Sequence, residues 1–533
     1  MNKKSLALLT ALFLSAGFLS YAQDASNETP EQNAQAVPKY KIGDINYTSK
    51  GITKQSALKN SVEINTDMLF SSRKEVDDYS DNIVQQLMNK RIFDDVTKEG
   101  KENEPDENGI IKVDYDITVT ESKNFLIFPK PNYSSNNGFE LKIKLKDSNF
   151  LGFMNTLNVD LNTQFGTSSA PDDFSKVTLG TNFDYAYPFQ LGPTNNTWNN
   201  DFAISWFIGD VPEFSYSTGI TTSIPFSNNQ LQVTFTQSIA RKNSYETYGD
   251  ALYLTENGKI SLPLTLGYIN DVIPLRYTPS INATYNWDFD GINPGNSSLK
   301  GPSISIGQDL AISSVNWKGN FRDGYSISLN HSIAYNFSSE NIIPAISAEI
   351  QYFKAFKYVG INSRFFGYGM LNDNANNVGW RMRGILDNQS FLTTDAGLLL
   401  SIDVPIHIIT TDWLGWAAAI FGPYDSQSPG VQKFWSFPRK LFGALNFELQ
   451  ISPFIDIALT RNPVTGRVFS PKDGFYDAGI EILIFPTRFK NYIVRGSVGF
   501  DLGRTLFKDH IDMSWRNPNT KKFEISFGLG LNY

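Results

Sequence analysis

The sequence predicts a mainly β protein: a 16-stranded antiparallel transmembrane β-barrel preceded by one small α+β domain of order β-α-α-β-β. Three observations predict it. The first is composition. The 533 residues are 14% aromatic and only 19% charged, with 39 Gly and no Cys. A disordered chain would carry more charge and fewer rings. The second is a strict apolar/polar alternation that runs from about residue 124 to the end. The third is an absence: no run after Ala22 approaches the roughly 18 apolar residues that a spanning helix needs. Only helices and closed barrels satisfy the backbone inside a bilayer.

The other gross features exclude function classes. Without cysteine there is neither a disulfide framework nor a thiolate metal site. Lys plus Arg (46) against Asp plus Glu (54) gives a net charge of -8, the wrong sign for a general nucleic-acid binder.

At the N-terminus, Lys3 and Lys4 precede the apolar stretch Leu6 to Leu19, and Ser20-Tyr21-Ala22 is a small-x-small cleavage site. Residues 1–22 therefore read as a secretory signal peptide, which predicts export. No Cys follows Ala22, so a lipid anchor there is not expected. Residues 23–37, rich in Gln, Asn, Ala and Glu, read as a disordered lead-in.

Residues 38–123 carry the small domain. Lys41 to Tyr47 reads as a strand, with a turn at Gly51 and a short helix over Lys54 to Glu63. Ser71 or Ser72 caps a second helix, where Val76, Ile83, Leu87 and Met88 recur at helical spacing through Lys90. Phe93 to Thr97 and Ile110 to Val119 alternate as strands, joined by the charged turn Lys98 to Asn108. The segments Ile45-x-Tyr47-x-x-x-Gly51, Arg91-Ile92-Phe93-Asp94-Asp95-Val96 and Val119-Thr120-Glu121 resemble the periplasmic POTRA module. The resemblance implies a sheet edge that offers main-chain pairing to an unfolded polypeptide.

Residues 124–533 carry the barrel. At the C-terminus Phe523, Ile525, Phe527, Leu529, Leu531 and Tyr533 alternate with Glu524, Ser526, Gly528, Gly530 and Asn532. One face is apolar and the other polar or small. The same dyad places Leu445, Phe447, Leu449, Ile451, Ile455, Ile457 and Leu459 opposite Asn446, Glu448, Gln450, Ser452 and Asp456. It also places Phe139, Leu141, Ile143 and Leu145 opposite Glu140, Lys142, Lys144 and Lys146. A soluble sandwich alternates too, but these segments run about ten residues and carry charges in mid-strand, which suits a hydrated lumen. An even strand count returns the C-terminus to the side of the N-terminal domain.

Phe128-Pro129-Lys130-Pro131-Asn132-Tyr133-Ser134-Ser135-Asn136-Asn137-Gly138, followed by Asn149-Phe150-Leu151-Gly152, resembles the first hairpin of the outer-membrane insertase and two-partner transporter superfamily, which includes the BamA and TamA assembly factors. That family carries a Val/Ile-Arg-Gly-Phe/Tyr motif in a long loop folded into the lumen. Met382-Arg383-Gly384-Ile385, within the polar stretch Leu371 to Ser390, is its counterpart, and both flanking positions depart from the pattern. Val494-Arg495-Gly496 fits the spelling better but lies inside an alternating segment, where Arg495 is expected to face the lumen. Context outweighs spelling. A buried guanidinium needs carboxylates, and Asp403 and Asp456, on the polar faces of the next two segments, match the family's acidic positions. The expected loop–lumen clamp is Arg383 and Gly384 with Asp403 and Asp456.

The resemblance also implies a weak seam between first and last strands. The seam residues expected are Phe139, Leu141, Ile143 and Leu145 against Phe523, Ile525, Phe527, Gly528, Gly530 and Tyr533. Gly528 and Gly530 weaken strand pairing there or make room for the folded-in loop. The partners implied are the outer-membrane lipid bilayer and unfolded β-barrel clients; periplasmic chaperones or accessory lipoproteins are admitted, and nucleic acid is not. No catalytic residue, metal site or cofactor is expected. His331, His407 and His510 are isolated, and no nucleophile, zinc or phosphate-loop motif occurs. The expected role is assembly of β-barrel clients in the outer membrane, with the small domain in the periplasm. The alternatives are a two-partner secretion transporter and a passive porin or adhesin. One segment, His407 to Lys440, stands where a short periplasmic turn is expected. It holds Trp413, Trp416, Phe421, Phe434 and Trp435 and reads as an interfacial lid or anchor, or as a shift in topology.

Overall fold

The computed structural model describes residues 39–134, 138–166, 173–226, 229–242, 252–270, 273–287, 302–372, 376–377, 382–385, 393–512, 514–515 and 522–529. The expected signal peptide and lead-in, and the seam residues Gly530 and Tyr533, lie outside these.

The small domain has the predicted order. It runs β1 (Lys39–Lys50), α1 (Gln55–Ser61), α2 (Arg73–Asn89), β2 (Phe93–Glu102) and β3 (Ile110–Glu121). β3 lies centrally, parallel to β1 and antiparallel to β2. α2 starts where its cap chemistry says it should: Ser72 Oγ accepts from Glu75 N (3.3 Å), and Glu75 Oε2 accepts from Ser71 N (2.8 Å). Its stripe Val76, Tyr79, Ile83 and Leu87 packs with Leu58 of α1 onto Phe93, Val113, Tyr115, Ile117 and Val119 of the sheet. Each fully buried aliphatic side chain stabilises by about 1.5–3 kcal/mol, and truncating Leu87 to Ala would cost about 2–5 kcal/mol.

The barrel strands are β4 (Phe125–Ser134), β5 (Gly138–Asp147), β6 (Leu157–Phe165), β7 (Val177–Leu191), β8 (Thr194–Phe207), β9 (Glu213–Phe226) and β10 (Asn229–Arg241). They continue with β11 (Leu252–Ser261), β12 (Leu264–Ile269), β13 (Ile273–Trp287), β14 (Ser303–Lys318), β15 (Phe321–Asn336), β16 (Asn341–Ala355) and β17 (Gly360–Met370). A short ribbon, β18 (Asn376–Asn377) with β19 (Thr393–Thr394), sits in the following loop. Then come β20 (Ala396–Asp403), β21 (Ile406–Thr410), β22 (Phe447–Thr460), β23 (Phe475–Pro486), β24 (Val494–Asp501) and β25 (Phe523–Leu529). Successive crossings of the wall pair antiparallel, β17 pairs with β20, and β25 meets β4.

The strand count differs from the 16 expected. Among the described residues there are 20 strand segments in the barrel sheet. Two of these are continuations: β11 and β12 share β13, and β20 and β21 share β22, so 20 less 2 gives 18 crossings. Both breaks fall at a proline, Leu262-Pro263 and Val404-Pro405, because proline has no N–H for the ladder. Pro129 and Pro131 hide β4 from an alternation count in the same way. Turns as short as the two residues between β7 and β8 make successive strands read as one.

That hidden strand also corrects the seam. Gly138–Lys146 is not the first strand but the second, so Phe139, Leu141, Ile143 and Leu145 pair with β4 and β6, one strand inside the closure. The first strand is β4.

The burial pattern follows the predicted faces. On β22 the buried row is Gln450, Ser452, Phe454, Asp456, Ala458 and Thr460, while Pro453 and Ile455 are exposed on the outside. On the outer wall Ile220, Phe235, Ile281, Ile306, Ile350 and Ile480 are likewise exposed. Among the described residues no helix is long and apolar enough to cross a membrane, which says nothing about strands.

The small domain lies across one end of the barrel. Asn149 Nδ2 donates to Thr53 Oγ1 (2.7 Å), and Lys54 N donates to Gly152 O (2.9 Å), both at the β5–β6 turn. Gly152 is required there. Its φ is +77°, and a Cβ would lie 2.0 Å from Ile52 O. At the β14–β15 turn, Asn89 Nδ2 donates to Asn316 Oδ1 (2.9 Å), and the Arg91 guanidinium sits 4.2 Å from the centre of the Trp317 ring. At the β23–β24 turn, Lys490 Nζ donates to Asp94 O (3.1 Å). Contacts with three separate turns place the domain over the mouth rather than beside it.

Candidate functional site

The loop after β17 brings Met382, Arg383, Gly384 and Ile385 inside the barrel, against β20, β22, β23 and β24. Arg383 is 1% exposed. Its Nη2 donates to Asp456 Oδ1 (2.7 Å) and its Nε to Asp456 Oδ2 (3.1 Å), a bidentate fork. Its backbone N also donates to Asp456 Oδ2 (3.0 Å). Nη1 reaches Asp403 Oδ1 at 3.5 Å and Glu481 Oε2 at 3.8 Å. The guanidinium plane lies 3.9 Å from the centre of the Phe454 ring. The predicted trio of Arg383, Asp403 and Asp456 is therefore brought together.

Register explains why these carboxylates converge. Ser401 pairs with Asp456, and Asp456 pairs with Asp477, so their side chains share the lumen face of three adjacent strands. Asp403 and Glu481 point to the same side, two and four residues along. Asp403 is oriented by Asn362 Nδ2 (2.7 Å) and Ser452 Oγ (3.4 Å), both donating to its Oδ2.

Sequence reasoning missed two acids and a glycine contact. Gly384 N donates to Asp477 Oδ2 (2.8 Å), and Glu481 faces Arg383 while also accepting from Arg495 Nη1 (3.4 Å). A signal existed, since Asp477 and Glu481 lie on the polar face of one alternating segment. Arg495 is a strand residue, as expected, and its partner Glu481 lies on the adjacent strand. The glycine contact had no such signal. A Cβ on Gly384 would come within 2.7 Å of Asp477 Cβ and 3.0 Å of Phe500 N. A Cβ on Gly499 would lie 2.6 Å from Gly384 Cα. Two strands and the loop touch through bare backbone.

The two departures from the family motif have a structural reason. Met382 is fully buried, and Ile385 nearly so. They join Phe366, Tyr368, Leu399, Ala458, Phe475 and Trp515 in an apolar cluster inside the barrel. The Phe475 and Trp515 rings meet edge to face at 5.4 Å. Flexible or branched aliphatics fill that cavity next to aromatics already in place. The site can thus hold a loop in one position through charge, shape and apolar burial at once. Among the described residues no group of three or more His, Asp or Glu side chains is arranged to hold a metal ion.

Comparison with known proteins begins at the small domain. Residues 40–121 match the family described as POTRA, surface antigen variable number repeat. The segment is a POTRA domain. In this chain the matched segment leads directly into an antiparallel barrel. Among solved structures, "CdiB from Acinetobacter baumannii" is similar at 11% identity and TM-score 0.45, covering 92% of this chain and 73% of that one. BamA from Haemophilus ducreyi lacking POTRA domains 1-3 is similar at 11% identity and TM-score 0.37, covering 92% and 85%. CdiB from Escherichia coli is similar at 8% identity and TM-score 0.39, covering 96% and 92%. No curated protein matches the chain.

Proposed function

We propose that this protein is an outer-membrane assembly factor that templates folding and insertion of β-barrel clients, with its POTRA domain in the periplasm. The observation that carries this reading is the closure. Seven register pairs join β24 to β25, but only one, Ser526 with Ser134, joins β25 to β4 among the described residues. Pro129 and Pro131, two apart, withhold backbone donors from one edge of β4. Proline belongs at sheet edges, and an edge with unmet partners recruits another strand. The loop clamp braces β20, β22 and β23, which leaves the seam as the place to open. The POTRA sheet supplies a second pairing edge at β2, whose residues are mostly exposed. The reading assigns no catalytic step.

A second reading, secretion of a polypeptide through the lumen, is favoured by one observation. β6 and β7 have no fully buried residue on either face, so the lumen beside them is open. One experiment separates the two. The natural chain has no Cys, so Ser134→Cys with Ser526→Cys forms a single engineered disulfide at a register pair whose Cα spacing suits it. Under oxidation the locked barrel is expected to lose client insertion into proteoliposomes and to regain it on reduction. Full insertion by the locked form overturns the assembly reading; polypeptide export that survives the lock favours secretion.

A further inference from the structure

The segment between β21 and β22 is not a turn but a helical hairpin. α3 (Trp413–Phe421) and α4 (Pro429–Ala444) leave the barrel wall at the POTRA end. The hairpin is well formed. Asp412 Oδ1 accepts from Gly415 N (3.0 Å) as the α3 cap, and the hydroxyl of Tyr424 donates to Gln432 O (2.7 Å) across the connection. Gly443 lets α4 approach Leu414, whose Cδ1 would lie 3.1 Å from an added Cβ. Trp413 Nε1 donates to Leu445 O (3.2 Å), tying the hairpin to the start of β22.

Its composition contradicts an aqueous setting. α3 reads WLGWAAAIF, with no charged residue and no buried one. Ile420 is 73% exposed, Phe421 67% and Phe434 72%. Nothing else in the described chain covers them. Nine residues of helix span about 14 Å and sixteen about 24 Å, both short of the ~30 Å hydrocarbon core. The exposed apolar surface is continuous with the outer wall: Ile408 and Ile409 on β21 and Leu445 before β22 are exposed on either side of the hairpin's root. Charge adds a direction. α4 carries Lys433, Arg439 and Lys440 and no acid, and Arg439 lies 4.2 Å from the centre of the Tyr424 ring.

We propose that α3 and α4 lie in the lipid leaflet at the POTRA end of the barrel, with Ile420, Phe421 and Phe434 among acyl chains and Lys433 and Arg439 of α4 at anionic phosphate headgroups. The occupant of this surface is phospholipid. Continuity with the barrel's outer wall argues for it, and the proposal rests on the barrel spanning a bilayer but not on any client.

Single-cysteine variants of the full chain, Phe421→Cys, Phe434→Cys, Ser428→Cys and Ile480→Cys, would be spin-labelled in nanodiscs of phosphatidylcholine with phosphatidylglycerol. Collision with oxygen and with a water-soluble nickel chelate reports depth. Labels at positions 421 and 434 are expected to match position 480 on the barrel wall, oxygen-rich and nickel-poor, whereas position 428 should be nickel-accessible. If positions 421 and 434 match 428, the hairpin projects into water and the proposal fails. Low collision with both reagents means protein covers the surface and also overturns it. Nickel access at 480 would instead overturn the membrane-spanning reading itself. In phosphatidylcholine alone position 434 is expected to become shallower; an unchanged depth removes the anionic-headgroup assignment.

Discussion

Arg383 holds Asp456 through three hydrogen bonds, two from its guanidinium and one from its own backbone N–H. Side chain and main chain therefore grip the same carboxylate, and the loop cannot shift without breaking all three. Removing the guanidinium leaves several buried acids without their common cation. Arg383→Ala is expected to destabilise the folded barrel by about 3–5 kcal/mol. Arg383→Lys should recover only part, because an ammonium cannot reproduce the fork. The heat-dependent shift between folded and unfolded bands in gels measures both. An Ala variant that melts with the natural chain would refute the clamp.

Gly384→Ala tests shape without touching charge. The added methyl meets Asp477 Cβ and the backbone of Phe500, and the latter cannot rotate away. A loss of about 1–3 kcal/mol is expected. Gly430→Ala, where a Cβ meets nothing, is the matched control and should leave melting unchanged. Equal melting of the two variants would show that the loop does not seat against β23 and β24.

Arg91 fastens the POTRA domain to two turns of the barrel. It takes φ +57°, stacks on Trp317, and donates to Asn320 Oδ1 (3.2 Å). Burial pushes its pKa down to about 10, against the pull of Glu448, so it remains a cation near neutrality. Arg91→Ala is expected to raise hydrogen exchange at the β14–β15 turn and around Lys490 while α2 stays protected. Unchanged exchange at both turns would mean the domain is held by its other contacts.

The POTRA domain should also weaken in acid through Asp77. Burial raises this carboxyl, but hydrogen bonds from Arg73 and the Tyr115 hydroxyl, with the charges of Arg73 and Lys98, outweigh it and hold the carboxyl below the usual carboxylate range. A depressed folded pKa means the stabilisation is present above the unfolded value of about 3.9 and is lost as pH falls through the folded one. Urea denaturation of the domain at about pH 6 and about pH 3 is expected to show a smaller acid loss in Asp77→Asn than in the natural chain. Identical losses would assign the acid sensitivity elsewhere.

What was legible in the sequence was whatever repeats with the period of a strand or sits in a cap. Ser72, the α2 stripe and the lumen row of β22 follow from local rules, and Asp403 and Asp456 follow from face parity once Arg383 is chosen. Asp477 and Glu481 had the right parity, but only the register of β22 against β23 aims them at the same guanidinium. The approach of Gly384 to Gly499 is a fact of three dimensions with no local signature. β4 escaped because Pro129 and Pro131 break the very alternation that reveals the other strands. The α3–α4 hairpin was visible as aromatic-rich chain, but not its helical form or the exposure of Ile420 and Phe434.

A hoop made of staves fails at its least-braced joint. The four carboxylates around Arg383 and Gly384 fasten β20, β22 and β23 to one inward peg, so those staves cannot slide past one another independently. A sideways pull on the wall would therefore pass those staves unrelieved and reach the joint between Ser134 and Ser526. The clamp stiffens the wall to within two strands of that joint, so the give is confined to the joint itself; loosening the peg would spread the same load over many joints and leave none of them ready to part.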